Sequence, residues 1–273
     1  MKRKSGMIID FHTHIFPDDL APKAKETLLR NINYRYEPTT DLTKKSLIDK
    51  MDQWGIDKSV VQTIITKKTQ LEKTNLWAQS ISDDRIIAFG GIFPHTDDYK
   101  KDIDFVCSLG FKGIKFHAEY QNFVIDDPKA LRIYDYALDK GLIILHHAGE
   151  DHGMPPPYRS NPEKFAFIAD RMKGGIIIAA HLGGHNMWND VEKYLAGKNI
   201  YLDTSMGFEY YGKEQFLRIL NIHGASRILF GSDSPWSNAK NEISAIKSLP
   251  INQTSKDMIL GGNAKRILGI NQI

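Results

Sequence analysis

The chain carries one cysteine in 273 residues, Cys107. No disulfide can form within it, and a reducing compartment such as the cytoplasm is expected. It has no apolar run approaching the roughly 20 residues that cross a bilayer, and no secretory apolar stretch near its start. A strong charge of either sign is also missing: 36 Lys and Arg face 33 Asp and Glu, a formal +3. Part of that excess sits in Lys2, Arg3 and Lys4, which read as a flexible basic leader over residues 1–6 rather than a nucleic-acid arm. Met7 stands directly before the first apolar run, so the preceding residues are expected to be dispensable. Nucleic acid and membrane are thereby disfavoured as partners. A small-molecule substrate is expected, with self-association left open. Absent too is a Gly-x-Gly-x-x-Gly after the first apolar run, the phosphate-binding signature of dinucleotide folds.

What is present is a globular composition, 41% hydrophobic and 25% charged, at a length that matches one α/β barrel. Apolar runs recur at Met7–Phe11, Ser59–Ile65, Ile86–Ile92, Gly113–Phe116, Leu142–His146, Ile176–Ala180, Ile200–Asp203 and Arg227–Phe230. Their continuous hydrophobicity is that of parallel strands covered on both faces. Helical signals fall between them. Asp127-Pro128 and Asn161-Pro162 each offer an N-cap followed by proline at the first helical position, and Gly55 and Gly141 offer stops. Leu42–Trp54, Leu71–Ile81, Tyr210–Leu220 and Glu242–Leu249 are further helix candidates. Eight strands interleaved with helices predict a (β/α)8 TIM barrel, one domain over residues 7–273.

His12-Thr13-His14 stands at the end of the first run. Strand alternation puts both imidazoles on one side, about 7 Å apart along the chain, a spacing that can grip one metal ion. The active site of such a barrel lies at the C-terminal strand ends. There the runs end in Lys115 and His117, in His146-His147, in His181, in Asp203 and in Asp233. Neighbours on a strand face opposite sides, so only one of His146 and His147 can look into the barrel.

In order along the chain, Ile9-Asp10-Phe11-His12-Thr13-His14, Gly113-Ile114-Lys115-Phe116-His117, His147-Ala148-Gly149, Ala180-His181-Leu182-Gly183-Gly184 and Phe230-Gly231-Ser232-Asp233-Ser234-Pro235 resemble the amidohydrolase superfamily. The likeness is to its amidohydrolase-related branch of metal-dependent hydrolases and non-oxidative decarboxylases, and Gly262–Gly269 is similar to that family's last helix. The resemblance implies that His12, His14, His147 and Asp233 bind a divalent ion, zinc first and manganese as the alternative, one ion rather than two. It places His181 beside the attacking water or the substrate, with Asp233 and His181 in acid/base roles.

The implied activity is hydrolysis of an amide, lactone or other ester. Alternatives are decarboxylation of a carboxylated aromatic or unsaturated acid, a TatD-like nuclease, and a barrel that binds metal without catalysis. The nuclease reading is weakened because such relatives carry Glu at the end of strand four, where this chain has Lys115 and His117. Lys115, His117 and Arg159 are the candidate substrate contacts, Lys115 through a substrate carboxylate or a buried Asp. A carbamylated Lys115 bridging two ions is the less favoured role. Asp10 is expected to orient a histidine or pair with Lys115, and Asp203 to act as a cap or hydrogen-bonding partner. His146 is expected to face the helices and bond a backbone carbonyl. His152 is read as surface, His95 as a possible lining residue, and His185 and His223 receive no role.

Overall fold

The computed structural model describes residues 6–172 and 174–270; the basic stretch Lys2–Lys4 lies outside them. All strand pairs are parallel. The strands run β1 (Ile9–Thr13), β2 (Lys58–Val61), β3 (Ile86–Ala88, continued by Gly90–Gly91), β4 (Gly113–Phe116), β5 (Ile143–His146), β6 (Ile177–Ala179), β7 (Tyr201–Asp203) and β8 (Ile228–Leu229). Each strand pairs with the next in sequence, β3 serving both β2 and β4 through its two halves. The seam between last and first strands is closed by backbone bonds from Phe11 N to Phe230 O and from Asp233 N to His12 O, each 2.8 Å. His14 N to Ser234 O extends it. The eight strands thus form the expected barrel.

Two apolar layers follow from strand alternation. Ile9, Phe11, Val60, Phe89, Ile143, Leu145, Ile178, Ala180 and Leu229 form one cluster, which fills the barrel interior. The larger cluster, with Ile114, Phe116, Ile144, Ala179 and Leu202, lies between the strands and the helices. Gly113 is required here: a Cβ on it would stand 2.4 Å from the ring of Phe89, which occupies the space inward of β4.

Several helix ends follow the expected chemistry. Asp127 accepts from Lys129 N at the start of Pro128–Asp139, and Asn161 accepts from Lys164 N at the start of Pro162–Arg171. Gly55, at φ 70, ends Lys44–Trp54. The helices Ala21–Asn31 and Tyr99–Ser108 were not among the expected ones. Among the described residues, no helix is long and apolar enough to cross a membrane.

The first strand differs from expectation in a way that matters for the site. It begins two residues later than the apolar run suggested, and its register with β2 shifts between Asp10 and Thr13. Alternation breaks at that irregularity, a device that re-aims side chains near active sites. Phe11 packs edge-on to Phe89 while His12 turns to Lys115. Asp10 therefore neither orients an imidazole nor pairs with Lys115. It accepts from Ser232 Oγ at 2.6 Å and Ser232 N at 2.9 Å, and burial pushes its carboxyl up to about 7 against those bonds.

His146 faces the helices, as alternation requires. Its ring stacks on Phe116 at 5.1 Å and lies against Tyr134 and Phe165. The expected carbonyl partner is not found: both ring nitrogens are buried without a hydrogen bond among the described residues. An unpartnered buried polar group costs about 1–3 kcal/mol. His146→Phe is therefore expected to stabilise the fold by ~1 kcal/mol after some loss to overpacking, raising the thermal midpoint by ~2 °C. Calorimetry showing a lower midpoint would mean that His146 has a bonding role.

His223 makes the stability of the fold depend on pH. It is buried, its Nδ1 accepts from Gly197 N at 3.2 Å, and burial followed by the charge of Arg227 pushes its pKa down to about 4. The unfolded chain takes up this proton near pH 6.5, so stability present above that pH is lost as pH falls towards 4. His223→Asn keeps an acceptor without the titration. Urea unfolding at pH 7 and pH 5 is expected to show a smaller loss for the variant, by ~1–2 kcal/mol. Equal losses would remove His223 from the acid limb.

Candidate metal centre

The C-terminal rim of the barrel gathers most of the residues singled out by the sequence. His12 and His14 come from β1 and its end, Asp233 from the turn after β8, and the closed seam between those strands brings them together. His14 Nε2 lies 3.1 Å and His12 Nε2 3.4 Å from Asp233 Oδ1. Asp233 sits at φ 66 and His181 at φ 56, left-handed conformations uncommon for non-glycine residues but taken by Asp and His more readily than by most.

Electrostatics tie the group together. His12 Nδ1 lies 2.9 Å from Asp203 Oδ2, so the ring proton is on Nδ1 and Nε2 is bare. Lys115 Nζ donates to that Nε2 at 3.2 Å, although Lys115 is only 1% exposed. Burial pushes the Lys115 ammonium down to about 8, opposed by the charges of Asp203 and Asp233. Burial alone would raise both aspartates. Against that largest influence, His12, His181 and Ser205 together at Asp203, and His12, His14 and His181 together at Asp233, hold both carboxyls well below the usual carboxylate range.

The donor set suits a divalent cation. Ligand atoms of His12, His14 and Asp233 all lie within 4.8 Å of one another. A tetrahedral ion with bonds near 2.1 Å separates its ligands by ~3.4 Å, and the two nitrogen–oxygen separations of 3.1 and 3.4 Å match that edge. The ionised carboxylate of Asp233 facing two imidazole nitrogens in a buried site adds the oxygen and nitrogen donors that a divalent cation takes.

His147 stands one step further round. Its Nδ1 is 3.0 Å from His181 Nε2, and its ring stacks on His117 with centroids 4.1 Å apart and planes at 11°. Its Nε2 is buried without a partner among the described residues. So the structure places His147 beside His181, outside the trio of His12, His14 and Asp233. His117, His147 and Asp151 also cluster. However, lone pairs in two nearly parallel stacked rings do not converge, and His117 Nε2 instead meets Asp151 Oδ2 at 3.3 Å. That contact reads as a hydrogen bond. Burial holds the His181 imidazole down to about 4 and that of His147 well below its ordinary range.

Arg159 reaches the rim through its backbone: its N donates to the buried carboxylate of Glu119 at 2.8 Å, which also accepts from Ser160 Oγ. His95 Nε2 is engaged with Gln121 O at 2.8 Å. His152 is not a surface residue. Its side chain is 6% exposed and bonds Tyr36 Oη on one side and His185 Nε2 on the other, the latter at 3.2 Å. His185, left without a role, packs against His181, Trp188 and Tyr210. Asp203 is a hydrogen-bonding partner, as read. Ser205, Tyr36, Tyr210 and Asp151 were missed. Only Ser205 had a signal, two residues beyond an acidic strand end.

A family described as amidohydrolase matches residues 9–270, and the chain belongs to it. It is an amidohydrolase-family enzyme. No curated protein sequence matches it. Among solved structures it resembles 5-carboxyvanillate decarboxylase from Sphingomonas paucimobilis, at 15% identity and TM-score 0.72, covering 98% of this chain and 100% of that one. It also resembles a dihydroxybenzoic acid decarboxylase from a Polaromonas species with bound manganese and the inhibitor 2-nitroresorcinol, at 16% identity and TM-score 0.72, covering 98% of each chain. An uncharacterized TIM-barrel protein from Bordetella bronchiseptica overlaps at 19% identity and TM-score 0.76, over 96% of this chain and 98% of that one.

Proposed function

We propose that the chain is a divalent-metal-dependent hydrolase of a small molecule with an amide, lactone or other ester bond. The observation that carries this reading is the meeting of His12, His14 and Asp233 at ion-binding separations on the barrel rim. These three would hold the ion, with His147 completing the set from the β5 side. When bound, such an ion polarises a carbonyl and acidifies water. Asp233, held ionised, accepts the proton of the attacking water and passes it to the leaving group. His181 shares the acid/base work from the opposite side. Lys115 supplies a buried positive charge for a substrate anion, with His117 and Arg159 as further contacts.

A second reading, decarboxylation of an aromatic or unsaturated acid, is supported by the solved relatives named above, two of which are decarboxylases. Manganese in one of them keeps that metal beside zinc as a candidate. Both readings use the same residues, and the buried ammonium of Lys115 suits a substrate carboxylate in either.

Elemental analysis with an activity screen of lactones, amides, phosphodiesters and hydroxybenzoates separates them. One divalent ion per chain and turnover of a lactone or amide are expected; carbon dioxide release selects the second reading. Complete metal removal is expected to abolish turnover, and restoration should follow added zinc or manganese. Full activity in the stripped protein would sink both.

A further inference from the structure

We propose that Ser205 and Asp203 act together as positioning residues that lock His12 and His181 in the same tautomer, each with its proton on Nδ1 and its Nε2 lone pair turned into the site. Asp203, Ser205, His12 and His181 form a closed hydrogen-bond network with few protons to share. Asp203, Ser205, His12 and His181 are buried at 0%, 0%, 1% and 3% exposure, so bulk water does not supply alternative partners.

Asp203 Oδ1 accepts from Ser205 N at 3.0 Å and His181 N at 3.1 Å, and makes a very short contact with Ser205 Oγ. Asp203 Oδ2 takes His12 Nδ1. A serine hydroxyl has one proton to give. Its closest acceptor is the ionised carboxylate, the strongest acceptor in the network, so the proton points to Asp203.

Ser205 Oγ can then only accept: His181 Nδ1 faces it at 2.8 Å and His12 Nδ1 at 3.1 Å, the latter proton being taken first by Asp203 Oδ2 at 2.9 Å. The His181 Nδ1 also faces the carbonyl oxygen of Ser205 at 3.4 Å, a second acceptor. Both partners on that side can only accept, so His181 Nδ1 carries the hydrogen, and His147 Nδ1 must then donate to the other ring nitrogen. The His181 Nε2 is bare and looks at His147 Nδ1 at 3.0 Å.

The consequence reaches the chemistry. His181 enters the reaction as a proton acceptor or a ligand, and donates only after it has been protonated. One carboxylate thus orients both a metal-binding imidazole directly and an acid/base imidazole through a hydroxyl. The use of His12 and His181 rests on the proposed metal-dependent reading, but their tautomers do not, which keeps the two separately testable.

Long-range proton–nitrogen NMR of histidine-labelled full-length protein, as isolated and after metal removal, reports which ring nitrogen is protonated. The wild type is expected to show His12 and His181 with the proton on Nδ1. Ser205→Ala is expected to move His181 to a mixture with the Nε2 form and leave His12 unchanged, while Ser205→Thr keeps the wild-type pattern. Asp203→Asn is expected to disturb both rings and weaken metal binding 10–100-fold by chelator competition. A wild-type His181 protonated on Nε2 overturns the proposal without need of any variant, and so does a Ser205→Ala protein with His181 unaltered.

Discussion

Asp233→Asn is expected to fold as the parent does and to lose at least ~10³-fold in kcat/KM on whichever substrate the screen identifies. Folding should survive because Asn is isosteric and, like Asp, tolerates the left-handed backbone that Asp233 adopts at φ 66. Its bond from Asp233 N to His12 O belongs to the backbone and is untouched. What disappears is a negative charge facing the Nε2 atoms of His12 and His14, together with the base. Metal affinity should fall by more than the 10–100-fold typical of losing an outer hydrogen-bonding partner, because a direct ligand is changed. Chelator competition and turnover on the same preparation measure both effects. A variant that retains parental turnover would remove Asp233 from the chemistry and leave the rim trio without a role.

The second large effect is expected at His181. His181→Ala should lower kcat by ~10²–10⁴-fold while leaving the ion held by His12, His14 and Asp233. Alanine is strained at φ 56, so His181→Asn is the better-tolerated companion. The two variants should agree in kcat. A rise in KM alone, with kcat preserved, would assign His181 to binding. Loss of the ion in both would make it a ligand of the first ion.

How far the chain could be read in advance depended on the range of the interactions. The strand ends were legible because parallel strands buried on both faces leave continuous apolar runs, as at Gly113–Phe116. Alternation allowed only one of His146 and His147 to face inward and the resemblance chose His147; the aromatic box around His146 puts that ring on the helix side. The bulge in β1 was not legible, because it arises from pairing with both β2 and the turn after β8, and that is why Asp10 was misplaced. Ala21–Asn31 escaped notice since only Ala21 is buried, leaving almost no apolar stripe. His152 and Tyr36 are 116 residues apart, and no local pattern announces their contact. Ser205 owes its place to a carboxylate that serves partners on β1 and after β6.

The join between β1 and β8 has a further consequence. His12 and His14 stand on one side of it and Asp233 on the other, so an ion bound there is a clasp across the point where a rolled sheet would come open. It would be taken up by the closed cylinder and by no partly unrolled form. Binding and closure are then linked, and an ion present at 1,000 times its Kd would add about 4 kcal/mol against unfolding. Resistance to heat would track metal supply, even where no substrate is being turned over.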